Sequence, residues 1–148
     1  QPPYRWTYEF VTANGLYTGQ APIQWMREQA SNDTTQIDRF TSPDQKAVVQ
    51  LTLYDDGELL NKKIAGAIVV TLLHQEYDPD LTIIEDRILP EGEELLTWKT
   101  TQSGINGATQ FEMKGTQLVI TTWLYPVAEK TIFSELVQKI VETINAVE

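Results

Sequence analysis

Apolar and polar residues alternate with period two over several stretches of the chain. Tyr4-Arg5-Trp6-Thr7-Tyr8-Glu9-Phe10 puts aromatics on one side and polar groups on the other, the pattern of a half-buried strand. Asn14-Gly15 then offers a tight turn with positive φ, and residues 16–18 return as a short second strand. Pro22 breaks the pattern, and Trp25 after it is expected to anchor the core. Residues 27–36 are polar and read as a loop. The Asn32-Asp33-Thr34 triplet within them fits a glycosylation sequon, a pattern short enough to arise by chance. Residues 36–41 suggest another strand, and Ser42-Pro43-Asp44 a turn. The clearest strand is 46–54, with Ala47, Val49, Leu51 and Leu53 on one face and Val48, Gln50, Thr52 and Tyr54 on the other.

Asp55-Asp56-Gly57-Glu58 stops that strand and predicts a helix N-cap, with acids near the positive end of the dipole. The helix is predicted over 58–77, its apolar stripe formed by Leu60, Ile64, Ala67, Ile68 and Leu72. Its β-branched Val69, Val70 and Thr71 have low helix propensity, so packing must hold it. Strands are then expected over 81–89 and 94–101, with turns at 90–93 and 103–107. A hairpin follows, 108–113 with 116–125 across Lys114-Gly115. Pro126 ends the sheet. The closing helix, 127–146, carries Ile132, Phe133, Leu136, Val137, Ile140 and Ile144 on one stripe. Strands, helix, strands, helix predict an α+β domain over 1–148. Its expected form is an α/β/α sandwich, a central antiparallel β-sheet flanked by helices, with residues 1–3 as a residual linker.

Charge narrows the function more than motifs do. The 148 residues carry a net charge of −10, which repels nucleic acid and anionic lipid. Eight acids fall within residues 76–94 against one base, Arg87, and mark either a solvated rim or a docking face for a basic partner or a divalent cation. The absence of cysteine removes disulfides, thiolate nucleophiles and thiolate metal sites. No apolar run approaches 18 residues, so nothing reads as a transmembrane helix. The chain opens Gln-Pro-Pro rather than Met, the look of a linker left when a signal or lipid anchor is removed, and an extracytoplasmic origin is expected.

Candidate chemistry is sparse. His74 is the single histidine, and its place near a predicted helix C-terminus suits a structural role. With Glu76, Asp78 and Asp80 it could form a weak divalent site, but the spacing matches no EF-hand, and no metal or cofactor is expected. Nothing selects two of the many carboxylates for acid–base work. Gly104, Gly107 and Gly115 fit hairpin turns rather than a phosphate loop, and G-x-S-x-G does not occur. An enzyme is not expected. Trp98 and Trp123 fall in strands that adjacency could bring close, with core packing as their default. Trp6 and Tyr8 begin the chain's first strand and could expose an aromatic patch to a partner.

Taken together, four features resemble the PsbP family, the extrinsic lumenal subunits of photosystem II, and its wider superfamily of bacterial extracytoplasmic domains. An aromatic opening strand pair leads into a Pro-x-x-Trp element, Pro22 and Trp25. A Phe-x-Ser-Pro-Asp turn (Phe40, Ser42, Pro43, Asp44) opens the long strand ending at Tyr54. One long helix separates that strand from a hairpin-rich sheet. Pro126 precedes an amphipathic closing helix. The resemblance runs from about Gly15 to Ile144, with Thr143-Ile144 standing where family members often carry Ser-Phe. Residues 87–92 and Leu96-Thr97-Trp98 look more like the superfamily's bacterial lipoproteins.

The resemblance implies a non-enzymatic extracytoplasmic domain in the periplasm, at the cell surface or in the thylakoid lumen, once lipid-anchored. It would bind or assemble a membrane protein complex, for instance one of electron transport. Trp6, Tyr8, Asp78, Asp80, Glu85 and Asp86 are the candidate partner-binding residues. The alternative is a small-ligand or divalent-cation carrier with a cleft between helix and sheet.

Overall fold

A computed structural model describes residues 6–102 and 104–147. The expected linker 1–3, the first two residues of the opening strand (Tyr4 and Arg5) and Ser103 of the expected 103–107 turn lie outside the described residues. Among the described residues the chain forms ten strands and two α-helices. In order these are β1 (Thr7–Val11), β2 (Tyr17–Pro22), β3 (Met26–Ser31), β4 (Thr35–Thr41), β5 (Val48–Asp55), α1 (Lys62–Glu76), β6 (Thr82–Ile88), β7 (Glu94–Lys99), β8 (Ile105–Lys114), β9 (Gln117–Pro126), α2 (Lys130–Glu142) and β10 (Asn145–Ala146). A seven-stranded antiparallel sheet runs β3-β4-β5-β9-β8-β7-β6, and a three-stranded sheet runs β1-β2-β10.

Alternation along β5 and β9 divides the core between the two faces of the large sheet. Val49, Leu51, Leu53 and Val119 point to the side covered by the small sheet and by Phe133, Leu136, Val137, Ile140 and Val141 of α2. Leu118, Ile120, Leu96, Trp98 and Phe111 point to the side covered by Ala65, Val69 and Leu73 of α1. Helices therefore flank a central antiparallel sheet as expected. The layering matches an α/β/α sandwich only roughly, because α2 shares its layer with the small sheet and strands dominate the chain.

The departures from the sequence reading have local causes. Residues 27–36 are not a loop: β3 fills the first half of them and pairs with β4, which begins at Thr35, from Met26↔Thr41 to Ser31↔Gln36. As an edge strand it is exposed at nearly every position, so burial never imposed an apolar period on it. The first helix starts at Lys62 rather than 58, because Asp55 and Asp56 accept from Gly57 N and Glu58 N in a turn of their own. Asn61 caps it instead, its Oδ1 accepting from Ile64 N at 2.9 Å. Its buried line is Ala65, Val69 and Leu73, one position round from the expected stripe, and Ile64 is 47% exposed. Apolar residues encircle this helix, so its periodicity could not select the face. The closing helix is shorter than 127–146, with a 3₁₀ turn at Val127–Glu129 before it and β10 after it, and it buries Val141 while Ile132 is exposed.

Two of the motifs behind the resemblance are turns with internal wiring. Trp25 N donates to the Pro22 carbonyl at 3.0 Å, which folds the chain so that Trp25 is buried. In the other turn, Ser42 Oγ donates to Asp44 Oδ1 (2.6 Å) and accepts from Ala47 N (3.0 Å). The Ser42 bond holds the Asp44 carboxyl below the usual range. Gln45 there has φ +63°, the one positive value outside glycine among the described residues. At the C-terminus Thr143 supplies a hydroxyl that accepts from Gln20 N at 2.8 Å, and Ile144 packs on the core.

The small sheet is tied to the large one by an ion pair between half-buried Arg27 and buried Asp38. Arg27 Nη2 and Nε donate to Asp38 Oδ1 at 2.7 and 3.0 Å, and Nη2 also reaches the Val11 carbonyl at 2.9 Å. The guanidinium lies 5.4 Å from the Phe10 ring centre and 5.8 Å from that of Phe40. Asp38 is buried, so removing it strands a cation among aromatic rings. Asp38→Ala is expected to lower the unfolding free energy by about 3 kcal/mol, read as a shifted urea midpoint at unchanged slope.

At the opposite edge, burial and then its hydrogen bond and repulsion with Asp86 push the Glu94 carboxyl up to about 7 from its ordinary 4.5, and nearby Lys62 opposes them. A raised carboxyl favours the fold below its unfolded value, and that contribution is lost as pH rises through about 7. Glu94→Gln removes the ionisation. Its melting temperature should gain on the wild type by roughly 2 °C more at pH 8 than at pH 4, checked by thermal melts across that range.

Candidate docking surface

The most featured surface surrounds Tyr77, just beyond the end of α1. Tyr77 lies between Arg39 and Trp98, with Cζ of the guanidinium 5.6 Å from its ring centre and the Trp98 ring centre also at 5.6 Å. Gln50 Oε1 accepts from the Tyr77 hydroxyl (2.6 Å) and from Arg39 Nε (2.8 Å). Gln50 Nε2 donates onward to Thr52 Oγ1 at 3.0 Å. Arg39 Nη2 is paired with Glu76 Oε2 at 2.8 Å. Burial pushes the Tyr77 hydroxyl far up, so it stays a donor. Trp98 is fully buried, its Nε1 donating to Thr109 Oγ1 at 3.0 Å. It lies against Gly107, where any Cβ would run into the indole ring. Gly107 is thus a strand residue chosen for close approach, not a turn glycine. Trp98 and Trp123 are not neighbours: the β7-β8-β9 register sets them on opposite faces of the sheet.

A concavity opens on each side of Tyr77. One, of about 420 Å³, is lined by Met26, Glu28, Arg39, Pro43, Glu76 and Tyr77 among others. The second, of about 340 Å³, lies between Tyr77, Asp78, Trp98, Thr101 and Leu124. Beside the first, the junction of β2 and β3 exposes apolar side chains. Trp6 is 61% exposed, Ile23 63% and Met26 62%, and Ile23 N donates to the Trp6 carbonyl at 2.7 Å. An apolar cluster next to a walled concavity is the anatomy of a docking site.

The six residues singled out from the sequence do not form one surface. Trp6 belongs to the apolar cluster. Tyr8 is half-buried and packs against the core instead. Asp78 lines the second concavity, but it also ties the loop: Oδ2 accepts from Thr101 N (2.7 Å) and Thr101 Oγ1 (2.8 Å), and Oδ1 from Asp80 N (2.9 Å). Those bonds, the Thr101 amide first, hold its carboxyl below the ordinary range. Asp80 is exposed next to it. Glu85 and Asp86 lie on β6, the edge of the large sheet farthest from β3.

The divalent-site candidates diverge as well. Glu76 pairs with Arg39, and His74 Nε2 lies 3.1 Å from the Leu81 carbonyl. Among the described residues no group of three or more His, Cys, Asp or Glu side chains is placed to hold a metal. No helix among them is long and apolar enough to cross a membrane. Ile23, Met26, Glu28, Arg39 and Tyr77 went unremarked in the sequence. The one signal pointing to them was Arg39 and Gln50 on the same face of adjacent strands, and it needed the pairing of β4 with β5 to be seen.

No family model and no curated protein matches the sequence. Solved structures do. A crystal structure from Bacteroides thetaiotaomicron VPI-5482 matches at TM-score 0.48 and 10% identity over 95% of this chain, which spans about half (48%) of that one. The solution structure of cyanobacterial PsbP (CyanoP) from Synechocystis sp. PCC 6803 matches at TM-score 0.65 and 9% identity, covering 95% of this chain and 92% of that one. At that identity the likeness concerns architecture, and the chain has a PsbP-like fold.

Proposed function

We propose that this chain is a non-enzymatic, extracytoplasmic docking domain that attaches peripherally to a membrane protein complex, an electron-transport complex being the first candidate. The exposed apolar side chains of Trp6, Ile23 and Met26, the last of which lines the Tyr77 concavity, are the observation that carries this reading. The likeness of its fold to that of cyanobacterial PsbP supports it. Apolar side chains at the centre of the contact would supply the affinity. The charge of −10 would speed the approach of a basic surface and make it salt-sensitive.

Affinity capture from the native membrane fraction tests the reading. The wild type should retain a complex at low salt and lose most of it at high salt. The double variant Ile23→Ser/Met26→Ser should retain about tenfold less, a loss typical of one or two central contacts. Retention indifferent to both salt and the double substitution would refute the assignment of the surface. An empty capture after crosslinking would refute the docking role.

A further inference from the structure

Resting on the docking reading, we propose that the concavity beside Tyr77 receives a basic side chain, lysine or arginine, from the partner protein. The lining charges decide the sign. Glu28 and Glu76 oppose Arg39 alone, leaving one negative charge in excess. Arg39 is already committed to Glu76 and Gln50, so it is not available to an anion. Glu28 stands directly across from Arg39 in the β3–β4 register, is exposed, and makes no hydrogen bond or ion pair among the described residues. Its carboxylate is therefore the uncompensated group at the mouth, beside Met26, Pro43 and Val48, which can cover an aliphatic stem. About 420 Å³ holds a whole basic side chain and part of its backbone.

A wholly apolar guest fits poorly, because it would desolvate three charged groups. The geometry also favours a protein-borne cation over a free one. Met26 belongs both to the concavity and to the exposed apolar cluster, so a basic residue seated here lays its chain neighbours on Ile23 and Met26.

Titration of ¹⁵N-labelled protein with N-acetyl-arginine amide, followed by NMR, tests the site, with neutral N-acetyl-citrulline amide as the isosteric control. Saturable amide shifts are expected around Glu28, Arg39 and Tyr77, at millimolar affinity. Glu28→Gln, an exposed change that leaves the core untouched, should weaken binding at least fivefold, and citrulline should produce no saturable shift. Equal responses from the two probes, equal affinity of Glu28→Gln, or shifts elsewhere on the surface would overturn the inference.

Capture with Glu28→Gln separates this inference from the docking role. A complex held by wild type and variant alike, with a flat titration, removes the basic-residue pocket and leaves docking intact. Charge-dependent arginine binding without any captured complex removes docking, and with it the partner as the source of the cation.

Discussion

The Arg27–Asp38 pair is the contact on which the two sheets depend. Without it the small sheet would rest on the large one mainly through apolar contacts, which allow sliding, and through the Asn14 amide donating to Gln36 Oε1 at 3.1 Å. The guanidinium fixes three things together: the edge strand β3 that carries Arg27, the adjacent strand β4 that carries Asp38, and the end of β1 through the Val11 carbonyl. Flanked by the Phe10 and Phe40 rings, it has little freedom to choose another partner. A buried charge pair adds little net stability compared with apolar packing, but it tolerates only one register. That register sets where the β2–β3 junction emerges, and the exposed apolar cluster is on that junction.

The other face of the sheet uses polar chemistry differently. Here Arg39, Gln50 and Tyr77 share bonds around a single acceptor oxygen, and Trp98 closes the layer by lying on Gly107. Every buried polar side chain among the described residues is satisfied. A saturated network of this kind is rigid, and rigid walls keep a concavity open in the absence of a guest. The tight Trp98–Gly107 approach has a local consequence. It pulls β7 and β8 into a fixed relation at the end of the sheet where Tyr77 stands, so the site inherits its shape from the core.

How legible this was in the sequence varied with burial. The strand 46–54 and the hairpin across Lys114-Gly115 could be read because polar and apolar residues alternate along them even where both faces are buried, and the closing helix because it buries one face and shows the other to water. β3 could not, since an edge strand with Arg27 as its least exposed residue carries no apolar rhythm. The buried face of α1 was missed for the reverse reason, an excess of apolar residues around the whole helix. At the surface Trp6 was legible as an exposed aromatic, whereas Tyr8, two residues on, turned inward to the core with Phe10. Glu28 and Arg39 are eleven residues apart and meaningless until β3 pairs with β4. Single positions reveal burial; binding sites arise from pairings, and pairings across a sheet are long-range facts.

The acidic composition takes on a different sense once the charges are placed. Asp55, Asp56 and Asp78 hold turns together through backbone amides, and Asp44 does the same in the Ser-Pro-Asp turn. Glu76 and Asp38 neutralise arginines. Burial and the neighbouring Asp86 oppose ionisation of Glu94. These carboxylates are structural, and a partner approaching the protein meets them as a diffuse field rather than as contacts. Glu28 differs because it stands at the rim of a concavity with its own cross-strand arginine already engaged elsewhere. On the proposed docking reading, long-range attraction is thus a property of the whole chain, while short-range recognition would fall to one carboxylate, one thioether and the exposed apolar side chains beside them.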